Sequence, residues 1–512
     1  MGVLMWSEEQ AGRLEAYTGT IELFRASACG CNKTVQWLLE GGFDVNTQNK
    51  SNETALMWAS ANGHSETVRL LLDSGADINM TGSRFVTALT AAAWNHWYET
   101  VQILLENGAD PDVDLRHEWI FDETPLYRAS ENDSYRMAEL LLGKGAKVNA
   151  VNTYGTALTI AVSKSRRIME LLLERGADVN IPAGNAGNAL LQAAIHADPS
   201  VVRLLIEKGA EVNSMVVVKG LLRTPLFAAA LDGRDEVVRL LLDKGADINM
   251  NMTIGGGEGF GTPLLAATLN DHLGIVQLLL EKGANVDAEG GEMWTALQGA
   301  SACGTVGTVR LLLNYGASVN IYGGTFGTAL CAAASTGKYD IVQLLLDRGA
   351  DINAESPCAS SPLYLAVGGG HVQVARLLIR RGADVNTRGG RPSPLMAAVC
   401  RGEFGMVRLL LENGADANAR REFECSALIE AVRRKRLDVA RLLLEKGADA
   451  NAKGAHDSYA LIEAVCSDRL DIVGLLLDNR ADVNAVGEKG TAYSQARGDA
   501  MKDLLVSYGA NR

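Results

Sequence analysis

The motif Leu-Leu-x-x-Gly-Ala-Asp-x-Asn recurs, with small variations, from one end of this 512-residue chain to the other. Its glycine stands at Gly42, Gly75, Gly108, Gly145, Gly176, Gly209, Gly245, Gly283, Gly316, Gly349, Gly382, Gly414 and Gly447; Arg480 takes the next place and Gly509 the last. The spacing is mostly 33 residues and stays between 29 and 38. A period of this length holds one small supersecondary unit, which buries its apolar face only by stacking on copies of itself. Repetition therefore overrides the several globular domains that length alone implies.

The unit Thr328 to Asn353 shows what is repeated. Thr328 is placed to cap a helix start, since its hydroxyl can accept from an orphan amide of the first turn. Leu330, Ala333 and Ala334 follow as a thin apolar stripe at helical spacing. Gly337 breaks that helix, and Ile341, Val342, Leu344, Leu345 and Leu346 form the heavier stripe of a second. Gly349 suits the left-handed position that closes a helix. Neither helix is long enough to persist alone in water.

A helix-pair array of this period resembles the ankyrin repeat family. The matching residues are the Thr-Pro-Leu openings at Thr124, Thr224 and Thr262, the Thr-Ala-Leu and Ser-Pro-Leu variants elsewhere, and Gly63-His64 and Gly370-His371. The array looks like those of filamentous fungi. The resemblance implies an all-α solenoid of about 14 helix-turn-helix units with terminal caps and extended turns between some units. It divides the chain into a capping segment at 1–19, a repeat array at 20–490 and a shortened capping repeat at 491–512. One departure stands out. The family's His after Thr-Pro-Leu is replaced by Met57, Thr90, Tyr127, Phe227, Cys331 and others, which puts in doubt the hydrogen bonds that it makes between repeats.

Composition narrows the function classes. A formal charge of −13 argues against a general nucleic-acid binder, and no run of apolar residues is long enough to span a membrane. The start, Met1 to Glu9, meets charge too soon for a signal peptide, and Trp6 stands where a myristoylation motif needs Ser or Thr. Eight cysteines in so long a chain read as thiols of a reducing compartment. Cys29-x-Cys31 has no second pair or nearby His to complete a tetrahedral metal site.

Insertions fall mainly between units. Residues 111–123 carry His117, Trp119, Ile120 and Phe121. Residues 214–223 include a Val-Val-Val run, which favours an extended ribbon. The glycine-rich run at 255–261 lacks the spacing of a dinucleotide loop and reads as a turn. The sequence contains no phosphate loop, zinc-protease motif or nucleophile elbow. His64, His96, His272 and His371 fall at the break or start of the second helix, where a structural role is expected. The sequence therefore predicts no catalytic residues, no cofactor and no metal.

Binding is the expected activity. The resemblance implies recognition of proteins through turn tips and the concave surface of the first helices. Trp94, Trp97, Tyr98, Tyr127 and Tyr135 fall near those slots in the early units, with Trp119 in an inserted turn. Arg401, Arg433, Arg434, Lys435 and Arg436 fall there late in the chain, with Arg388, Arg391, Arg420 and Arg421 in adjoining turns. This segregation predicts a protein partner, an extended segment with one apolar and one acidic end, bound by a monomer in the cytoplasm or nucleus. Neither nucleic acid nor membrane is an expected direct partner. A transcription coregulator, the sensor array of an immune-type receptor and an unrecognised enzyme are the alternatives.

Overall fold

Threonine sets where most helix pairs begin. In the computed structural model, Thr54, Thr87, Thr124, Thr156, Thr224, Thr262, Thr295 and Thr328 each accept a hydrogen bond from the backbone amide three residues on. Asn188, Ser361, Ser393 and Ser426 do the same. Proline follows the cap at Pro125, Pro225, Pro263, Pro362 and Pro394, where its missing amide costs no hydrogen bond.

The chain forms two compact units, 1–247 and 248–512. The structure describes residues 21–511 apart from 84–85, 113–123, 183, 185–186, 219–220, 253–260, 292, 356–359, 388–392, 419–425 and 455–457. The first unit stacks helix pairs from 21–29 with Asn32–Glu40 through to Pro225–Leu231 with Asp235–Asp243. The second runs from Pro263–Leu269 with Leu273–Glu281 to the short Ala492–Gln495 with Asp499–Ser507. Both are all-α solenoids of the repeating kind that the sequence predicts. The expected N-terminal cap at 1–19 and the inserted residue Trp119 lie outside the described residues, as do Arg388, Arg391, Arg420 and Arg421. The valine run forms an antiparallel ribbon, with Val216–Val218 paired to Leu221–Arg223. Val216 tucks against Leu191 and Ala228.

The two helices of a pair divide the packing work. First helices are alanine-rich: Ala329, Ala332, Ala333 and Ala334 are all buried, and such small side chains let neighbouring first helices approach closely. Second helices supply bulk, with Ile341, Val342, Leu344 and Leu345 buried in the template pair. Second helices then end as Tyr339–Asp347 does, with Arg480 in place of the glycine after Leu470–Asp478. The Gly349 amide bonds to Leu346 and the Ala350 amide to Leu345, with Gly349 at φ 83°. That is the glycine-closed Schellman arrangement.

The asparagine of the repeated motif joins one pair to the next. The side chain of Asn386 accepts from the Asp416 amide (2.8 Å) and donates to the Gly414 carbonyl (3.0 Å). Asn46, Asn180, Asn213, Asn320, Asn418, Asn451 and Asn484 make the same two bonds one pair onward. Asp112 breaks the series, because its carboxyl oxygens accept from the Lys147 amide but it lacks the side-chain N–H with which asparagine makes the second bond. Burial pushes its carboxyl above the usual range, against the lowering effect of the Lys147 amide.

The position of Arg480 weakens the far end of the second unit. Arg480 adopts φ 62° where the other closures use glycine, a conformation that costs a side chain roughly 1 kcal/mol. Tyr459, the start of that pair, provides no side-chain cap. Hydrogen exchange should therefore find Ala464 to Asn511 less protected than Thr295 to Asn386. Arg480→Gly should slow exchange there about fivefold, the equivalent of about 1 kcal/mol. Equal protection of the two stretches would refute the assignment.

Candidate interaction surface

A side chain near the start of a second helix reaches back to the preceding pair, and this contact decides what several candidate residues do. His371 Nε2 donates to the Ser335 carbonyl (3.0 Å), and His64 Nε2 to Ala28 (2.9 Å). His96 does not join them. It takes the left-handed position itself, at φ 64°, and the next residue, Trp97, makes the contact: Nε1 donates to Ala61 at 3.0 Å. The Trp97 ring lies over Gly63 so closely that a Cβ there would sit 2.2 Å from it. Arg234, Lys338 and Arg469 reach the carbonyls of Ala197, Gly304 and Lys435. Cations suit this place, since carbonyls at a helix C-terminus carry partial negative charge.

The aromatic candidates of the first unit are therefore unequal. Tyr127 is buried beneath its Thr124 cap. Tyr98 begins the helix Tyr98–Glu106 and is exposed. Arg167 lies over the Tyr135 ring, 4.7 Å from its centre. Trp94, at the end of Ala88–Trp94, is partly exposed and carries the Arg128 guanidinium 3.5 Å above its ring. Arg128 in turn is paired with Glu131. A partly desolvated cation on an indole face is a favourable contact that also holds both groups in place.

In the second unit the four candidate arginines are engaged on acids. Arg401 bonds to Glu403 (2.9 Å) and to the Gly368 carbonyl (2.8 Å). Arg433 pairs with Glu463 (3.0 Å) and Arg434 with Glu430. Arg436 pairs with Asp438 (3.2 Å), holding that carboxyl below its usual range. Lys435 holds the left-handed turn at φ 58°. Sequence reading missed the partners Arg128, Glu430 and Glu463, and also Trp58. All four stand four residues after a first-helix cap position, where alanine occupies Ala91, Ala228, Ala266, Ala332 and Ala397. A large or charged residue in an alanine slot was the available signal.

Among the described residues no group of three or more His, Cys, Asp or Glu is placed to hold a metal ion, and no helix is long and apolar enough to cross a membrane. Burial and the adjacent Glu430 carboxylate push the Cys400 thiol up, away from nucleophilic character.

A family model described as ankyrin repeats in three copies matches residues 23–115, 112–183, 181–252, 254–323, 330–421 and 395–486. A second, ankyrin repeats in many copies, matches 226–280. The chain belongs to the ankyrin repeat family. It is 45% identical over 64 residues to a putative ankyrin repeat protein of Rickettsia felis, a match covering 12% of this chain and 28% of that protein. It is also similar to the crystal structure of the human ASB11 ankyrin repeat domain. That match has 27% identity and a TM-score of 0.39, and covers 44% of this chain and 99% of that one. Ankyrin repeats generally mediate protein–protein interaction, and proteins built from them are typically non-enzymatic scaffolds.

Proposed function

We propose that this chain is an intracellular scaffold that binds a partner protein through the face formed by its first helices and the turns beside them. The observation that carries this is the replacement of alanine in first-helix slots by Trp58, Arg128, Glu430 and Glu463. Alanine suffices for packing at this slot in the pairs of Ala91, Ala228, Ala266, Ala332 and Ala397. The larger side chains fix Trp94 and Arg434 in partly exposed positions, which suits contact with another molecule. Trp and Arg dominate binding hot spots. Free thiols, including exposed Cys29, Cys31 and Cys303, suit a reducing compartment and favour the cytoplasm or nucleus.

The test is affinity capture of partners by the whole chain, followed by measured affinity for each purified partner. Trp94→Ala should weaken binding of a partner seated on the first unit by about 2 kcal/mol, mainly through faster dissociation. Arg434→Glu should slow association of one seated on the second. A partner indifferent to both variants would place the binding surface elsewhere. Turnover of a substrate by the purified protein would replace the scaffold reading with an enzymatic one.

A further inference from the structure

Resting on that reading, we infer that the second unit recognises an extended acidic peptide segment whose carboxylates fall three residues apart. The inference starts from exposure. Glu463 is 10% exposed and Glu430 20%, whereas their partners Arg433, Arg434 and Lys489 are 39%, 47% and 53% exposed. The acids lie beneath and the cations above. Glu463 is shared by Arg433 (3.0 Å) and Lys489 (3.4 Å), which come from the preceding pair and the following turn. Glu430 takes Arg434 Nε and lies 3.8 Å from the Cys400 sulfur of the pair before. Arg401, 33 residues before Arg434, holds the corresponding place there, anchored on Glu403 and Gly368.

A carboxylate bonded to one edge of a guanidinium restricts that side chain before any ligand arrives. The entropy of ordering it is then not lost on binding, and the planar fork remains suited to a second carboxylate. Spacing selects the ligand. Neighbouring packed helices lie about 8–10 Å apart. An extended chain advances about 3.3 Å per residue, so every third side chain recurs at about 10 Å. Arg401, Arg434 and the Arg433–Lys489 pair thus match Glu or Asp at positions i, i+3 and i+6.

The experiment uses fluorescence anisotropy with the full chain and two labelled peptides of equal composition. One repeats Glu-Gly-Ser; the other gathers its glutamates in one block. The periodic peptide should bind at least about tenfold tighter, a difference of about 1.4 kcal/mol. Arg434→Gln and Lys489→Gln should each weaken it severalfold, and its affinity should fall as salt rises. Equal binding of the two peptides, tighter binding of a single-stranded oligonucleotide, or indifference to both substitutions would overturn the inference. Should either variant unfold, the salt dependence and peptide preference of the unaltered chain decide alone. If the peptides fail while a captured partner still binds, the acidic segment is lost and the scaffold reading stands.

Discussion

Replacing Gln298 with leucine should destabilise the second unit by about 2–3 kcal/mol, although the side chain changes little in size. Gln298 fills the slot where the family carries histidine, and it is buried. Its Oε1 accepts from the amide and hydroxyl of Thr295, both at 3.0 Å. Its Nε2 donates into the turn of the next pair, to Gly327 (2.7 Å), Ile321 (3.2 Å) and Gly323 (3.3 Å). Leucine would remove every one of these bonds. The Gly327 carbonyl keeps the Gly323 amide (2.8 Å) and the Thr295 amide keeps the Met293 carbonyl (2.9 Å). The buried Thr295 hydroxyl, however, loses its acceptor and the turn loses its tie, and a buried unpaired polar group costs about 1–3 kcal/mol. Histidine at 298 should retain more stability than leucine because it keeps a ring N–H donor. The measurement is hydrogen exchange at the amides of Thr295, Gly323 and Gly327, with thermal melting of the whole chain. A leucine variant exchanging as slowly as the parent would show that water serves those carbonyls equally well.

Truncating Phe227 to alanine should cost more, about 3–5 kcal/mol, the usual range for emptying a fully buried aromatic site. Phe227 has no exposure to solvent and also stands in the family's histidine slot, directly after Thr224-Pro225-Leu226. Its amide still closes the helix cap on the Thr224 hydroxyl (3.2 Å). The substitution therefore leaves the cap and removes the buried ring. In a stacked array such a loss is felt by the pair and its nearest neighbours. Amides in Pro225–Leu231 and Asp235–Asp243 should exchange at least about a hundredfold faster, equivalent to about 2.7 kcal/mol or more. Those of Ala55–Ala61, several pairs away in the same unit, should change little. Uniform loss across the unit would instead indicate a single cooperative core.

These two residues also answer the doubt raised by the missing histidines. The slot is refilled case by case. Gln298 remakes the bridge to the next pair, while Thr90 and Thr159 turn inward and bond reciprocally with Thr87 and Thr156. Met57, Phe227 and Cys331 are buried there, and Cys331 Sγ points at the Ala354 carbonyl, 3.7 Å away. Stability in this family slot therefore comes from polar bridging in some pairs and from burial in others.

The sequence by itself determined the helix pairs, their caps and their glycine closures. Those features depend on residues within one turn of each other, and their chemistry is readable at fixed spacing: Thr328 with Cys331, or Gly349 with Leu346. Even the strained closure at Arg480 was legible, because only glycine takes that conformation freely. The connections between pairs were not. Asn386 reads locally as a turn residue, yet its two bonds go to Gly414 and Asp416. Trp97 reads as an exposed anchor, yet its N–H is held by Ala61 and its ring by the bare backbone of Gly63. The arginines of 433–436 read as one basic run, but Glu430, Glu463 and Asp438 divide it among three contacts. Such partners lie on different turns or about one repeat away. Glu430 and Asp438 are local to their arginines, but only stacking brings Glu463, Gly414, Asp416 and Ala61 within hydrogen-bond reach of theirs.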